Sequence, residues 1–162
     1  MKKFSLLLFI AISALFGAEV NEANLDNAIK KCNAQDKIAC REVSYFYDKR
    51  EFRNDKEAIK LSAEYALKGC ELRDGASCHT VANHYYYISW LPRYFEPDEA
   101  KQEEYYTKGC DYKYALSCHS LGLIYSMKSN DTEGSEKKIA KNKSKQFFKK
   151  ACKLGYKPAC NR

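Results

Sequence analysis

Four pairs of cysteines with one invariant interval constrain this chain more than any other feature. Cys32 and Cys40, Cys70 and Cys78, Cys110 and Cys118, and Cys152 and Cys160 each stand 8 positions apart, and they use up all 8 cysteines of the 162 residues. Measured between first cysteines, the period is 38, then 40, then 42 residues. The growth falls between a second cysteine and the next first one, so the pair is the fixed unit. A period of this size marks a solenoid of helix pairs. On one straight helix, eight residues separate two cysteines by about 12 Å. A disulfide needs Cα atoms within about 7 Å, so the chain must reverse inside each pair. The intervening residues suit a turn, as in Arg73-Asp74-Gly75 or Leu154-Gly155-Tyr156-Lys157-Pro158. Glycine favours a helix end and proline the first turn of the next helix. Each pair is therefore expected to staple the end of one helix to the start of its antiparallel neighbour.

Periodicity supplies the helices. After each second cysteine, apolar residues return three and seven positions on, as Val43 and Tyr47, Val81 and Tyr85, and Leu121 and Tyr125. An aromatic stands five positions before three of the first cysteines, as Tyr65, Tyr105 and Phe147. With A for the helix after a clasp and B for the helix before one, the spacing predicts a lone B helix near 22–34. Three A–B repeats follow, over about 37–72, 76–112 and 115–154, with A helices near 37–49, 76–90 and 115–128. A clasped stub, 155–162, closes the chain. The expected class is all-α, an α/α solenoid of about three helix-pair repeats with disulfide-clasped hairpins.

Residues 1–18 read as a secretory signal: Lys2 and Lys3, then an apolar run of 13 residues from Phe4 to Phe16. As a helix that run reaches about 20 Å, short of a bilayer core of about 30 Å. Cysteine is absent just past the expected cut, so a lipid anchor is not indicated. The expected product, 19–162, is one soluble, secreted or periplasmic domain without an integral membrane anchor. The net charge of the whole chain, +7, falls to +5 once Lys2 and Lys3 are removed. An oxidising compartment makes disulfides the natural state of its cysteines, and a periplasmic thiol oxidase would form them during folding. Seven residues between cysteines fit neither zinc sites nor redox motifs. No metal or cofactor is expected, and the compartment leaves nucleic acid aside.

A repeated frame of lysine, one residue, cysteine, seven residues, cysteine, as in KGCELRDGASC and KACKLGYKPAC, resembles the Helicobacter cysteine-rich protein family. These are exported Sel-one-like repeat proteins, related to tetratricopeptide repeats. The Lys-Ala-x-x-Leu-Gly-x-x-x-Ala pattern of the last copy looks like the repeat consensus, and Asn54-Asp55-Lys56-Glu57-Ala58 resembles the usual start of helix B. The glycine-rich A–B turn of the family is largely missing from DKREFRNDK, WLPRYFEPDEA and KSNDTEGSEKK. The resemblance implies either a scaffold binding a protein or peptide of the bacterial envelope or a host, or a β-lactam-binding protein with weak β-lactamase activity.

The residues offer the second reading little. A serine β-lactamase needs SxxK with SDN and KTG partners. The single match, Ser135-Glu136-Lys137-Lys138, lies in a polar stretch without them. The histidines, His79, His84 and His119, do not form a ligand pattern; His79 and His119 recur because the repeat recurs. No catalytic residue is assigned.

For binding, the face of each A helix opposite its cysteine falls at offsets of two, five, six and nine from the second cysteine, by 100° steps. These are Glu42, Tyr45, Phe46 and Lys49 in the first repeat and Thr80, Asn83, His84 and Tyr87 in the second. Helix-pair solenoids commonly line a groove with A helices. Tyr45, Asn83, His84 and Tyr87, with Trp90 of the following loop, are the candidate partner-binding residues; packing between repeats is the competing role. The segment KKIAKNKSKQFFKK, Lys137 to Lys150, carries 7 lysines and no acid. It suits either an anionic partner or simple solvation.

Overall fold

A computed structural model describes residues 19–52, 54–86 and 94–162. Tyr87, Trp90 and the expected signal lie outside the described residues. Among those residues the chain forms seven α-helices and no strand. They are α1 (Leu25–Asn33), α2 (Lys37–Tyr47), α3 (Lys56–Glu71), α4 (Gly75–Tyr85), α5 (Glu99–Asp111), α6 (Ala115–Asn130) and α7 (Gly134–Lys153). Single 3₁₀ turns follow α2 and α7, at Arg50–Phe52 and Lys157–Ala159. Consecutive helices pack on one another as the solenoid reading requires, with α2, α4 and α6 as the A helices and the others as B. The second A helix stops at Tyr85, short of the expected 90. Tyr86 turns extended, with φ −80° and ψ 132°, where the sequence YYYISW combines weak helix formers ahead of Pro92.

The recurring positions have recurring jobs. Three past each second cysteine, Val43, Val81 and Leu121 are fully buried. The aromatic seven past that cysteine stacks on the aromatic five before the next pair: Tyr47 on Tyr65, Tyr85 on Tyr105, Tyr125 on Phe147, at 5.6–6.3 Å and 11–14°. The two signals seen separately in the sequence are thus two halves of one contact. The lysine of the repeated frame lies over that aromatic in two repeats, Lys68 over Tyr65 and Lys108 over Tyr105.

All four cysteine pairs are disulfides, with Cα atoms only 4.6–4.8 Å apart. Such an approach requires small neighbours. Gly69 meets Ser77, and Gly109 meets Ser117, each residue standing just before a cysteine. The turn inside every clasp has the same form. The third residue past the first cysteine is left-handed, at Gln35, Arg73, Lys113 and Gly155. The next amide then bonds back five residues, as Asp36 N–H to Lys31 O and Tyr156 N–H to Ala151 O, the Schellman ending of a helix. Asp36 and Asp74 go on to cap the following helices through their carboxylates.

The clasps sit at the joints between A–B repeats. Across each joint, the residue after a second cysteine meets the cap position of the next A helix or, at the end of the chain, of the 3₁₀ turn Lys157–Ala159. Arg41 pairs with Asp74 at 3.1 Å, His79 packs on Tyr114 at 5.4 Å, and His119 packs on Tyr156 at 4.8 Å. One slot is filled by charge once and by rings twice.

Candidate functional site: a cleft beside the third A helix

On the third A helix, the same offsets from Cys118 give Ser120, Leu123, Ile124 and Met127. All four line a cleft of about 320 Å³. Tyr86 closes it from the end of α4, Gln102 and Tyr106 from α5, and Glu99, Lys128 and Asp131 supply charge. Periodicity places these side chains: α6 buries Leu121 and Gly122 against α7 and turns Leu123 and Met127 outward. Phe148 packs so closely on Gly122 that a methyl group there would lie 2.6 Å from the ring, which fixes the rotation of α6. Met127 is 62 % exposed, the most open of the large apolar side chains among the described residues.

Polar groups around the cleft differ in how firmly they are held. Tyr106 donates its hydroxyl to Asn83 Oδ1 at 2.8 Å. Burial pushes the Tyr106 phenol up to about 12, so it remains a donor at neutral pH. Burial alone would raise the Glu103 pKa, but hydrogen bonds from Lys128 and Tyr125 outweigh it and hold the carboxyl below its ordinary value. Lys128 reaches that carboxylate at 2.5 Å. The side chains of Glu99 and Asp131 make no ion pair or hydrogen bond among the described residues. Asp131 also stands at the C-terminus of α6, where the helix dipole disfavours an anion. The cleft therefore combines an open apolar floor with two carboxylates that lack a hydrogen-bonded cation among the described residues, Glu99 being in electrostatic reach of Lys128, in a chain of net charge +7. A second hollow of about 300 Å³, between α6 and α7, shares Lys128 and Asp131 with the first and contains the exposed Ile139.

The residues named from sequence separate. Tyr45 is partly open on α2, and its phenol is pushed up by burial and by Tyr114. It does not line the cleft. Asn83 is exposed and joins the cleft wall through Tyr106. His84 requires a correction: it is only 4 % exposed and accepts the Tyr94 backbone N–H at 3.3 Å. Its ring packs edge-on to Phe95, so the chain leading into α5 covers the face that the offset rule assigned to a partner. Phe46 is buried with Val20, Ala28 and Val43, which is packing inside the solenoid. Ser135 and Lys138 are both exposed on the first turns of α7 and line neither hollow. Among the described residues there is no group of three or more His, Cys, Asp or Glu side chains that could hold a metal ion.

Four disulfides mark a protein of an oxidising compartment, extracellular or periplasmic. No helix among the described residues is long and apolar enough to cross a membrane. No protein-family model matches the chain, and no curated protein matches it.

Proposed function

We propose that this is an exported, disulfide-stabilised repeat scaffold of the cysteine-rich Sel-one-like kind, and that it binds a segment of a partner protein in the cleft beside α6. The observation that carries the reading is the convergence of Tyr86, Leu123 and Met127, three open apolar side chains, on one hollow rimmed by Glu99 and Asp131. Aromatic and methionine side chains of this sort are enriched at interfaces. The matching segment carries a bulky apolar side chain next to a lysine or arginine. The apolar group fills the floor and the cation answers the two carboxylates. The repeated lysine-x-cysteine frame and the N-terminal apolar run support the family and the export route.

Selection of displayed random heptapeptides on the immobilised, oxidised protein tests this. Sequences pairing Leu, Met or Phe with an adjacent Lys or Arg should be enriched. Leu123→Ser with Met127→Ser should abolish their capture while the melting temperature stays within about 2 °C, since surface changes usually cost under about 0.5 kcal/mol. Enrichment without that composition, or capture indifferent to the two changes, would sink the cleft assignment. A chromogenic cephalosporin turned over in proportion to protein, and still turned over after repurification, would favour the hydrolase reading instead.

A further inference from the structure

α7 places five lysines, Lys138, Lys141, Lys145, Lys149 and Lys153, three or four residues apart. At 100° per residue they fall within about 120° of the helix circumference, in an oblique band about 22 Å long. All five are exposed, and none makes an ion pair or hydrogen bond among the described residues. The packed side adjoins this band along one edge, through Ala140, Ser144, Phe148 and Ala151. Two further lysines of the helix are occupied elsewhere: Lys143 lies over the Tyr125 ring, and Lys150 pairs with Asp111 at 2.9 Å. The only acid on α7 is Glu136, in its first turn.

Solvation does not require this arrangement. An outward helix face needs polar residues of any kind, and alternating glutamates would gain a few tenths of a kcal/mol per i,i+4 pair. Like charges at that spacing cost a similar amount each. Other helices here use the favourable option, as Lys60 with Glu57 and Lys108 with Glu104 do. The flank of α7 instead keeps a row of same-sign charges at successive turns. A continuous oblique row of like charges matches a linear ligand whose charges repeat along its length and which crosses the helix at a slant.

We propose that this flank binds a linear polyanion bearing sulfate or phosphate groups, laid obliquely along α7. This site is separate from the cleft and does not depend on how the cleft is used. The probes are a heparin-derived decasaccharide, an inorganic polyphosphate of about twenty units, and phosphatidylglycerol vesicles, each titrated into the oxidised full chain at low and moderate salt. The comparison is between Lys141→Gln, Lys145→Gln, Lys149→Gln together and an equal charge change on another face, Lys30→Gln, Lys31→Gln, Lys37→Gln. The flank triple should weaken binding of at least one linear probe at least tenfold, with a melting temperature equal to or above the parent because like-charge repulsion is relieved. The control triple should change binding less than about threefold, as net charge alone would. Decasaccharide against polyphosphate then separates a sulfated glycan from a phosphate polymer. Equal losses in the two triples, binding only to vesicles, or no binding to either linear probe at low salt would each overturn the proposal.

Discussion

Gln35, Arg73 and Lys113 hold φ of 64–67°, a backbone region that suits glycine, and only the fourth clasp places a glycine there, Gly155 at 94°. A left-handed conformation costs an ordinary L-residue roughly 1–2 kcal/mol, partly offset by the greater freedom of glycine in the unfolded chain. Replacing any one of the three by glycine should therefore stabilise the protein by about 0.5–1 kcal/mol. Calorimetry should show melting temperatures raised by about 1–4 °C. The turn was legible at Arg73-Asp74-Gly75 and at Gly155, but only Gly155 marks the left-handed position itself; that Gln35, Arg73 and Lys113 adopt the same conformation shows only in the structure. His79 and His84 supply a second test. Burial lowers both to about 4, below their unfolded value of about 6.5. The unfolded chain thus binds more protons between those values, and stability falls as pH drops from about 6.5 to about 4. Each histidine contributes up to about 3 kcal/mol to that loss. Melting curves at pH 7 and pH 4.5 should diverge, and His84→Gln should narrow the gap. An unchanged gap would show that the ring is not held neutral. His84 also shows why site residues were hard to place from spacing: an offset gives a direction around a helix, but not whether the chain later folds over it.

At the scale of helices, packing is governed by small residues set against one another. Ser44 of α2 donates to the Ser62 carbonyl of α3 at 2.9 Å, and Ser144 of α7 donates to the Gly122 carbonyl of α6 at 2.9 Å. Each bond ties the two helices of one repeat. At the joints the contact is tighter still. A methyl group on Gly109 would run into Ser117 and lie 2.9 Å from the Gly75 carbonyl oxygen. The carbonyl belongs to the backbone and cannot swing aside. Gly109→Ala should destabilise the protein by about 1–3 kcal/mol, the usual cost of overfilling a packed site, read as a lower urea midpoint with an unchanged slope. Gly134→Ala is the contrast, because nothing lies within 4 Å of it and its cost comes only from a φ of 60°. Helix order, clasp pairing and core positions were legible because period, offset and apolarity repeat in register. Cleft residues Leu123 and Met127 obeyed the same offset rule. Tyr86 did not, because it reaches the cleft only where α4 ends early.

Across the whole molecule, the covalent links fall where a repeat array is otherwise weakest. Stacked repeats are stabilised by each unit and by the interfaces between neighbours, and here every joint described carries a disulfide. Cys70→Ala with Cys78→Ala opens the joint between the first two repeats, where Arg41 and Asp74 also meet. Removing a disulfide typically costs about 2–5 kcal/mol. Calorimetry should resolve the single transition of the oxidised parent into two, as the halves melt separately. One sharp transition at an unchanged temperature would show that the joint does not need its clasp. Position also sets how the protein behaves under tension. A pull on its two ends crosses each joint through a sulfur–sulfur bond, so the residues inside a clasp cannot lengthen. Beyond the segment of α1 ahead of Cys32, only the hairpins between clasps can yield, and these span 30, 32 and 34 residues from Cys40 to Cys70, Cys78 to Cys110 and Cys118 to Cys152. At about 3.4 Å per extended residue they release roughly 100 to 120 Å each. A stretched molecule would shed the start of α1, give way in three further steps of nearly equal size and then stop, still held at four points along its length.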